Sequence, residues 1–141
     1  MKLSEMFPDG EFSEPASEAN FSEVEEALSA KIPDQLRELL LETDGFREGT
    51  GNAKYLFSLT DEDFIGSILS VTKFMWSNET LPDLTPFIFF GSSCGDNLWG
   101  VRINEPHDVI AYHQNMEDEY EMIGNDIYSV FQEDYKIYDE L

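Results

Sequence analysis

Residues 87–103 read FIFFGSSCGDNLWGVRI, an apolar run, a cluster of Gly, Ser and Asp, and a second apolar run. Gly91, Ser93 and Gly95 within it match the pentapeptide G-x-S-x-G, which in hydrolases presents a nucleophile on a sharp strand-to-helix turn. The residues after Gly95 decide between an elbow and a plain turn. Trp99, Val101 and Ile103 alternate with Gly100, Arg102 and Asn104, the period of two that belongs to an extended chain. Gly, Asp and Asn between two such runs supply the backbone freedom and local hydrogen bonds of a hairpin. The expectation is therefore two adjacent antiparallel strands joined by a turn.

Beyond the hairpin, "DVIAYHQ" at 108–114 supplies a further strand, with Val109, Ala111 and His113 on one face and Ile110 and Tyr112 on the other. Upstream, "NAKYLFSL" at 52–59 has strand composition. Helices flank these strands. Ser22 with Glu25 forms a capping box before Val24, Ala27, Leu28 and Ile32, and Pro33 opens a second helix with Leu36, Leu39 and Leu40 on its apolar face. Asp44-Gly45 ends it. Thr60 with Asp63 is expected to cap a third helix carrying Phe64, Ile68, Val71 and Met75. "NMEDEYE" at 115–121 reads as a charged surface turn, and "NDIYSVFQEDY" at 125–135 as a last helix with Ile127, Val130 and Phe131 in its stripe. Residues 1–20, with Pro8, Pro15 and no sustained period, read as a loosely ordered N-terminal arm. Residues 21–141 then form one α+β domain, a largely antiparallel sheet packed against helices.

Composition bounds the function. The chain has 141 residues, 41% of them hydrophobic, enough for a single domain with a real core. Its single cysteine, Cys94, forms no internal disulfide and suits a reducing compartment. No apolar stretch is long enough for a membrane span and the N-terminus lacks the apolar centre of a secretory signal, so a cytoplasmic location is expected. Thirty acidic residues against eight basic ones give a formal net charge of −22. That field repels nucleic acid and anionic lipid and accelerates encounter with basic proteins, although acidity also serves solubility alone. A basic partner protein is expected, with no direct nucleic-acid or membrane binding.

Catalytic readings are poorly supported. Ser93 or Cys94 would need His107 or His113 as base, and no carboxylate is identifiable to orient either ring. The histidines have no recognised metal-ligand spacing. Asp61, Asp63 and Gly66 mimic the first, third and sixth positions of a calcium loop, but Ile65 and Thr72 occupy the fifth and twelfth. No catalytic residue, cofactor or metal is expected. Candidate partner contacts are Trp76, Asp96, Asn97 and Trp99, with Glu117, Asp118, Glu119 and Glu121 in the acidic run, because aromatics anchor interfaces and rim carboxylates steer association. Trp99 shares a strand face with Val101 and Ile103, which also makes it a core candidate. The acidic run is most simply a solvated turn.

"FSEVEEALSAK" at 21–31 with "IPDQLRELLLETDGF" at 32–46 resembles the opening of the SUKH superfamily, the Smi/Knr-type proteins. There, a helix starts at an aliphatic-Pro pair and ends at an Asn-Gly or Asp-Gly turn. "FIFFGSSCGDNLWGVRI" resembles the family's strand, Gly-rich turn and aromatic-bearing strand, and "NDIYSVFQEDY" sits where its final helix lies; "SSC" departs from the Gly and acidic residues usual in that turn. The resemblance, over about residues 20–135, implies an α+β fold without catalytic machinery. In bacteria it implies an immunity protein that neutralises a toxin, often a nuclease; alternatively, it implies an intracellular scaffold or regulatory domain with no toxin partner. A basic nuclease would suit the charge, since an enzyme that holds phosphates presents the surface an acidic inhibitor can occupy.

Overall fold

The computed structural model describes residues 3–8, 10–48, 54–61, 66–78, 83–93, 97–113, 120–128 and 130–131. Among these, seven strands, β1 (Glu11–Phe12), β2 (Phe46–Arg47), β3 (Lys54–Leu56), β4 (Phe87–Ser93), β5 (Asn97–Arg102), β6 (Val109–His113) and β7 (Tyr120–Gly124), form one sheet in sequential order. Every neighbouring pair is antiparallel. Helices α1 (Leu3–Met6), α2 (Glu18–Leu28), α3 (Asp34–Glu42) and α4 (Ile68–Ser77) accompany it. The chain is thus an α+β domain with an antiparallel sheet.

The expected strand pair is formed by β4 and β5, with residues 94–96 between them outside the described residues. Ser93 pairs with Asn97 and Phe87 with Arg102, so Gly91 and Ser93 of the pentapeptide end one strand and another strand begins at Asn97. This geometry lacks the strand-to-helix turn of a nucleophile elbow. The register slips between Phe89 and Gly91, a β-bulge that α4 completes. Thr72, fully buried on α4, accepts the Phe89 N–H through Oγ1 at 3.0 Å. Phe90, the bulged residue, offers its carbonyl to Phe57 N at 2.8 Å. Gly91 is obligatory here: a Cβ would collide with the Tyr55 carbonyl oxygen and stand 3.1 Å from the Trp99 ring.

The helices obey the expected faces with shifted ends. Helix α2 starts at Glu18 under a Ser17 N-cap whose side chain accepts Asn20 N–H at 3.1 Å, ahead of the expected Ser22 box. Glu25 instead accepts the Ile32 N–H at 2.9 Å, fixing the short link into α3. Phe21, Val24 and Leu28 are buried, while Ala27 is exposed. On α3 the buried residues are Leu36, Leu39 and Leu40. Helix α4 buries Ile68, Val71, Thr72 and Met75, and Ser67 with Ser70 forms its capping box. That cap displaces the expected one at Thr60; Asp63 and Phe64 lie outside the described residues.

In the segment read as a loose arm, Leu3, Phe7 and Ala16 are buried. Leu3 N–H bonds the Glu42 carboxylate at 3.0 Å, Ala16 N–H bonds the Leu40 carbonyl at 2.9 Å, and β1 pairs with β2. The physical reason is aromatic packing that no local period announces: Phe7 lies 5.3 Å from Phe46 and 6.4 Å from Phe131, edge-on to the latter. Phe131 continues to Trp99 at 5.1 Å. Lys54, fully buried, donates to the Phe131 carbonyl at 2.9 Å with its ammonium 5.4 Å from the Phe7 ring. Of the expected last helix, Val130 and Phe131 are helical and buried, while Ile127 is buried in a turn, and Gln35 ties this segment to α3 through Ile127 N–H and the Asn125 carbonyl.

Candidate interaction surface

Residues 120–121, expected within a charged turn, begin strand β7. It pairs with β6 and stands at one edge of the sheet among the described residues. Tyr120 and Met122, two apart and hence on one face, are 41% and 59% exposed. Tyr120 is not loose: its ring meets buried Phe87 edge-on at 5.1 Å. The Phe87 ring also takes the Arg102 guanidinium, 4.8 Å from its centre. Trp76 closes the same end of the sheet from α4, half-buried, its indole N–H donating to the Phe87 carbonyl at 2.7 Å. One strand end, Phe87, thus holds Trp76, Tyr120 and Arg102 in fixed positions. Rigid, partly exposed aromatics beside apolar Met122 are the composition of an interface centre.

The expected contacts divide accordingly. Trp76 belongs to this patch, and Glu121 is exposed on β7, opposite Ala111. Trp99 is a core residue, 2% exposed, packed between Phe131 and Phe90, so it offers a partner no surface. Asn97 opens β5 at the hairpin end remote from Phe87. Asp96, Glu117, Asp118 and Glu119 lie outside the described residues; the last three precede β7 in sequence. Tyr120 and Met122 escape selection from sequence because the acidic run masks them, although their alternation with Glu121 before Gly124 is a weak strand signal.

The surface charge is strongly unbalanced. Arg37, Arg47 and Arg102, the chain's three arginines, each face a carboxylate: Glu18 at 2.6 Å, Glu11 at 3.9 Å and Asp108 at 3.2 Å. Lys54 is buried. The acidic excess therefore falls on the surface with few cations to balance it. Tyr128 reports this field locally: burial first, then the carboxylates of Glu42, Glu38 and Asp126, push its phenol above the ordinary tyrosine range.

Strand order keeps the backbone of Ser93 apart from both histidines. His107 lies in the β5–β6 connection, its Nδ1 3.1 Å from the Arg102 carbonyl. It is separated from Ser93 by the length of β5, about 17 Å for a strand of this size. His113 pairs with Asn97, which itself pairs with Ser93, so a whole strand intervenes. Among the described residues, no cluster of three or more His, Cys, Asp or Glu is placed to hold a metal ion, and no helix is long and apolar enough to cross a membrane.

A search of curated proteins found no match. The family model described as SMI1 / KNR4 family (SUKH-1) matches residues 15–135, from just after β1 through the segment beyond β7. With that match over most of its length, and with its antiparallel sheet and flanking helices, the chain belongs to the SMI1 / KNR4 family (SUKH-1).

Proposed function

We propose that the chain is a non-catalytic immunity protein that neutralises a basic protein toxin, of the nuclease class, by direct binding through the β7 end of its sheet. The observation that carries this reading is the pairing of a net charge of −22 with a rigid apolar patch of Trp76, Tyr120 and Met122. The field gathers a cationic partner from a distance, and the patch holds it after docking. A nuclease domain must itself be cationic to hold phosphates, and a carboxylate-rich surface laid over it excludes the substrate by charge and by bulk. Family membership is consistent with this role.

The test is association kinetics with a basic nuclease toxin domain. Screening shortens from about 10 Å at 0.1 M salt to about 3 Å at 1 M, so the on-rate should fall with salt more steeply than the off-rate rises. Replacing Glu117, Asp118, Glu119 and Glu121 together by Gln should lower the on-rate and flatten its salt dependence without altering thermal stability. Ser93→Ala and Cys94→Ala should leave binding intact. A salt-insensitive on-rate would reduce the charge to a solubility feature, and loss of binding in a folded Ser93 variant would restore the catalytic reading.

A further inference from the structure

Resting on that reading, the structure assigns a binding mode: β7 is a receptor edge to which an extended, basic segment of the partner adds as an eighth strand. Among the described residues, the two ends of the sheet are unlike. At one end β1 has two residues, and its Glu11 is paired with Arg47 of β2 at 3.9 Å. So short an edge, guarded by charge, gives little to pair with. At the other end β7 has five residues, Tyr120–Gly124, with no Lys, Arg or Pro among them. Its one charge is Glu121, and the register with β6 slips at Ile123, so the regular run open to pairing is Tyr120–Met122. Its burial is low along its whole length, and its exposed apolar side chains, Tyr120 and Met122, share one face while Glu121 takes the other.

An added strand would find backbone pairing along the edge, apolar contact at alternate positions, and a carboxylate between them. Charge selects the occupant. A second copy of this chain would bring another −22 to the edge and place Glu121 near its own counterpart, a repulsive pairing. A segment alternating apolar and basic residues meets each requirement: its apolar side chains lie against Tyr120 and Met122, and its cations lie opposite Glu121.

The probe is a synthetic peptide of alternating valine and lysine, titrated into the full-length protein while amide exchange is tracked residue by residue. Exchange across 120–124 should slow by at least about tenfold, and a peptide N-methylated along one edge should lose the effect. Glu121→Lys, with its fold checked by circular dichroism, should weaken the peptide several-fold. Equal protection by the N-methylated peptide or by a glutamate-valine peptide overturns the proposal, as does protection confined to other surfaces. Concentration-dependent protection of β7 without peptide would identify a second copy as the occupant and also overturn it. If the toxin domain binds and its complex leaves exchange at β7 unchanged, strand addition fails while the toxin-neutralising reading stands; if the peptide protects β7 and the toxin domain does not bind, the reverse holds.

Discussion

Replacing Thr72 by Val tests how the bulge in β4 is held. The Thr72 hydroxyl is fully buried and accepts the Phe89 N–H at 3.0 Å, a side-chain bond from α4 into the slipped register of the central hairpin. Valine has the same shape and leaves that N–H without an acceptor. An orphaned buried donor costs about 1–3 kcal/mol, whereas exchanging a hydroxyl for a methyl in an apolar site regains roughly 0.8 kcal/mol. The net expectation is about 1–2 kcal/mol of destabilisation, between the limits those two terms set. For a domain of this size that lowers Tm by about 3–5 °C per kcal/mol, and the urea midpoint should fall with an unchanged slope. Thr72→Ser is the informative control, because it keeps the acceptor and loses one methyl, about 1 kcal/mol. Melting temperature alone does not separate the two variants, so the deciding assay is amide exchange: Phe89 should exchange faster in the Val variant and remain protected in the Ser variant. Full stability in the Val variant with a protected Phe89 amide would show that the backbone closes the bulge unaided.

Gly91→Ala should be destabilising by more than about 1–3 kcal/mol, since its Cβ meets the backbone oxygen of Tyr55, which cannot move without parting β3 from β4; Gly100→Ala, facing the Phe89 ring at 3.2 Å, should be milder, and paired urea melts check the order. Leu39→Ala should lose about 2–5 kcal/mol and Val130→Ala about 1–3 kcal/mol, because both side chains are buried, at 0% and 3% exposure, and the comparison of their midpoints tests how firmly the segment after β7 is docked.

The fold was legible wherever local periodicity and burial coincide. Alternation around Trp99 announced β5, and the 3–4 spacing of Leu36, Leu39 and Leu40 announced the face of α3. Helix starts were less legible because caps compete: Ser17, Ser22 and Ser67 are all competent N-caps in sequence, and packing selects Ser17 and Ser67. Thr72 shows the same limit from the other side. As a sequence position it is a hydroxyl in an apolar stripe; only the slip between Phe89 and Gly91 gives it a partner. The N-terminal segment was illegible for a stronger reason, since Leu3 and Phe7 pack through contacts with Glu42, Phe46 and Phe131, far away in the chain.

The candidate interaction surface divides along the same line. Charge is additive, so a net −22 is as evident in composition as in three dimensions. The patch is not additive: Trp76, Tyr120 and Met122 are distributed over 76–122, and only the meander order, with Phe87 as their common support, brings the two rings to one end of the sheet. Core residues such as Phe87, Phe131 and Leu39 are 0% exposed and uncharged, whereas Glu121 is exposed and makes no part of the apolar core. Neutralising surface carboxylates should therefore change the rate at which a partner arrives while leaving the sheet intact. Truncating Phe87 should do the opposite first, loosening Tyr120 and Arg102, which rest on its ring, while the main-chain carbonyl that holds Trp76 remains. The proposed steering by acidity and the proposed capture at β7 are therefore answered by different variants.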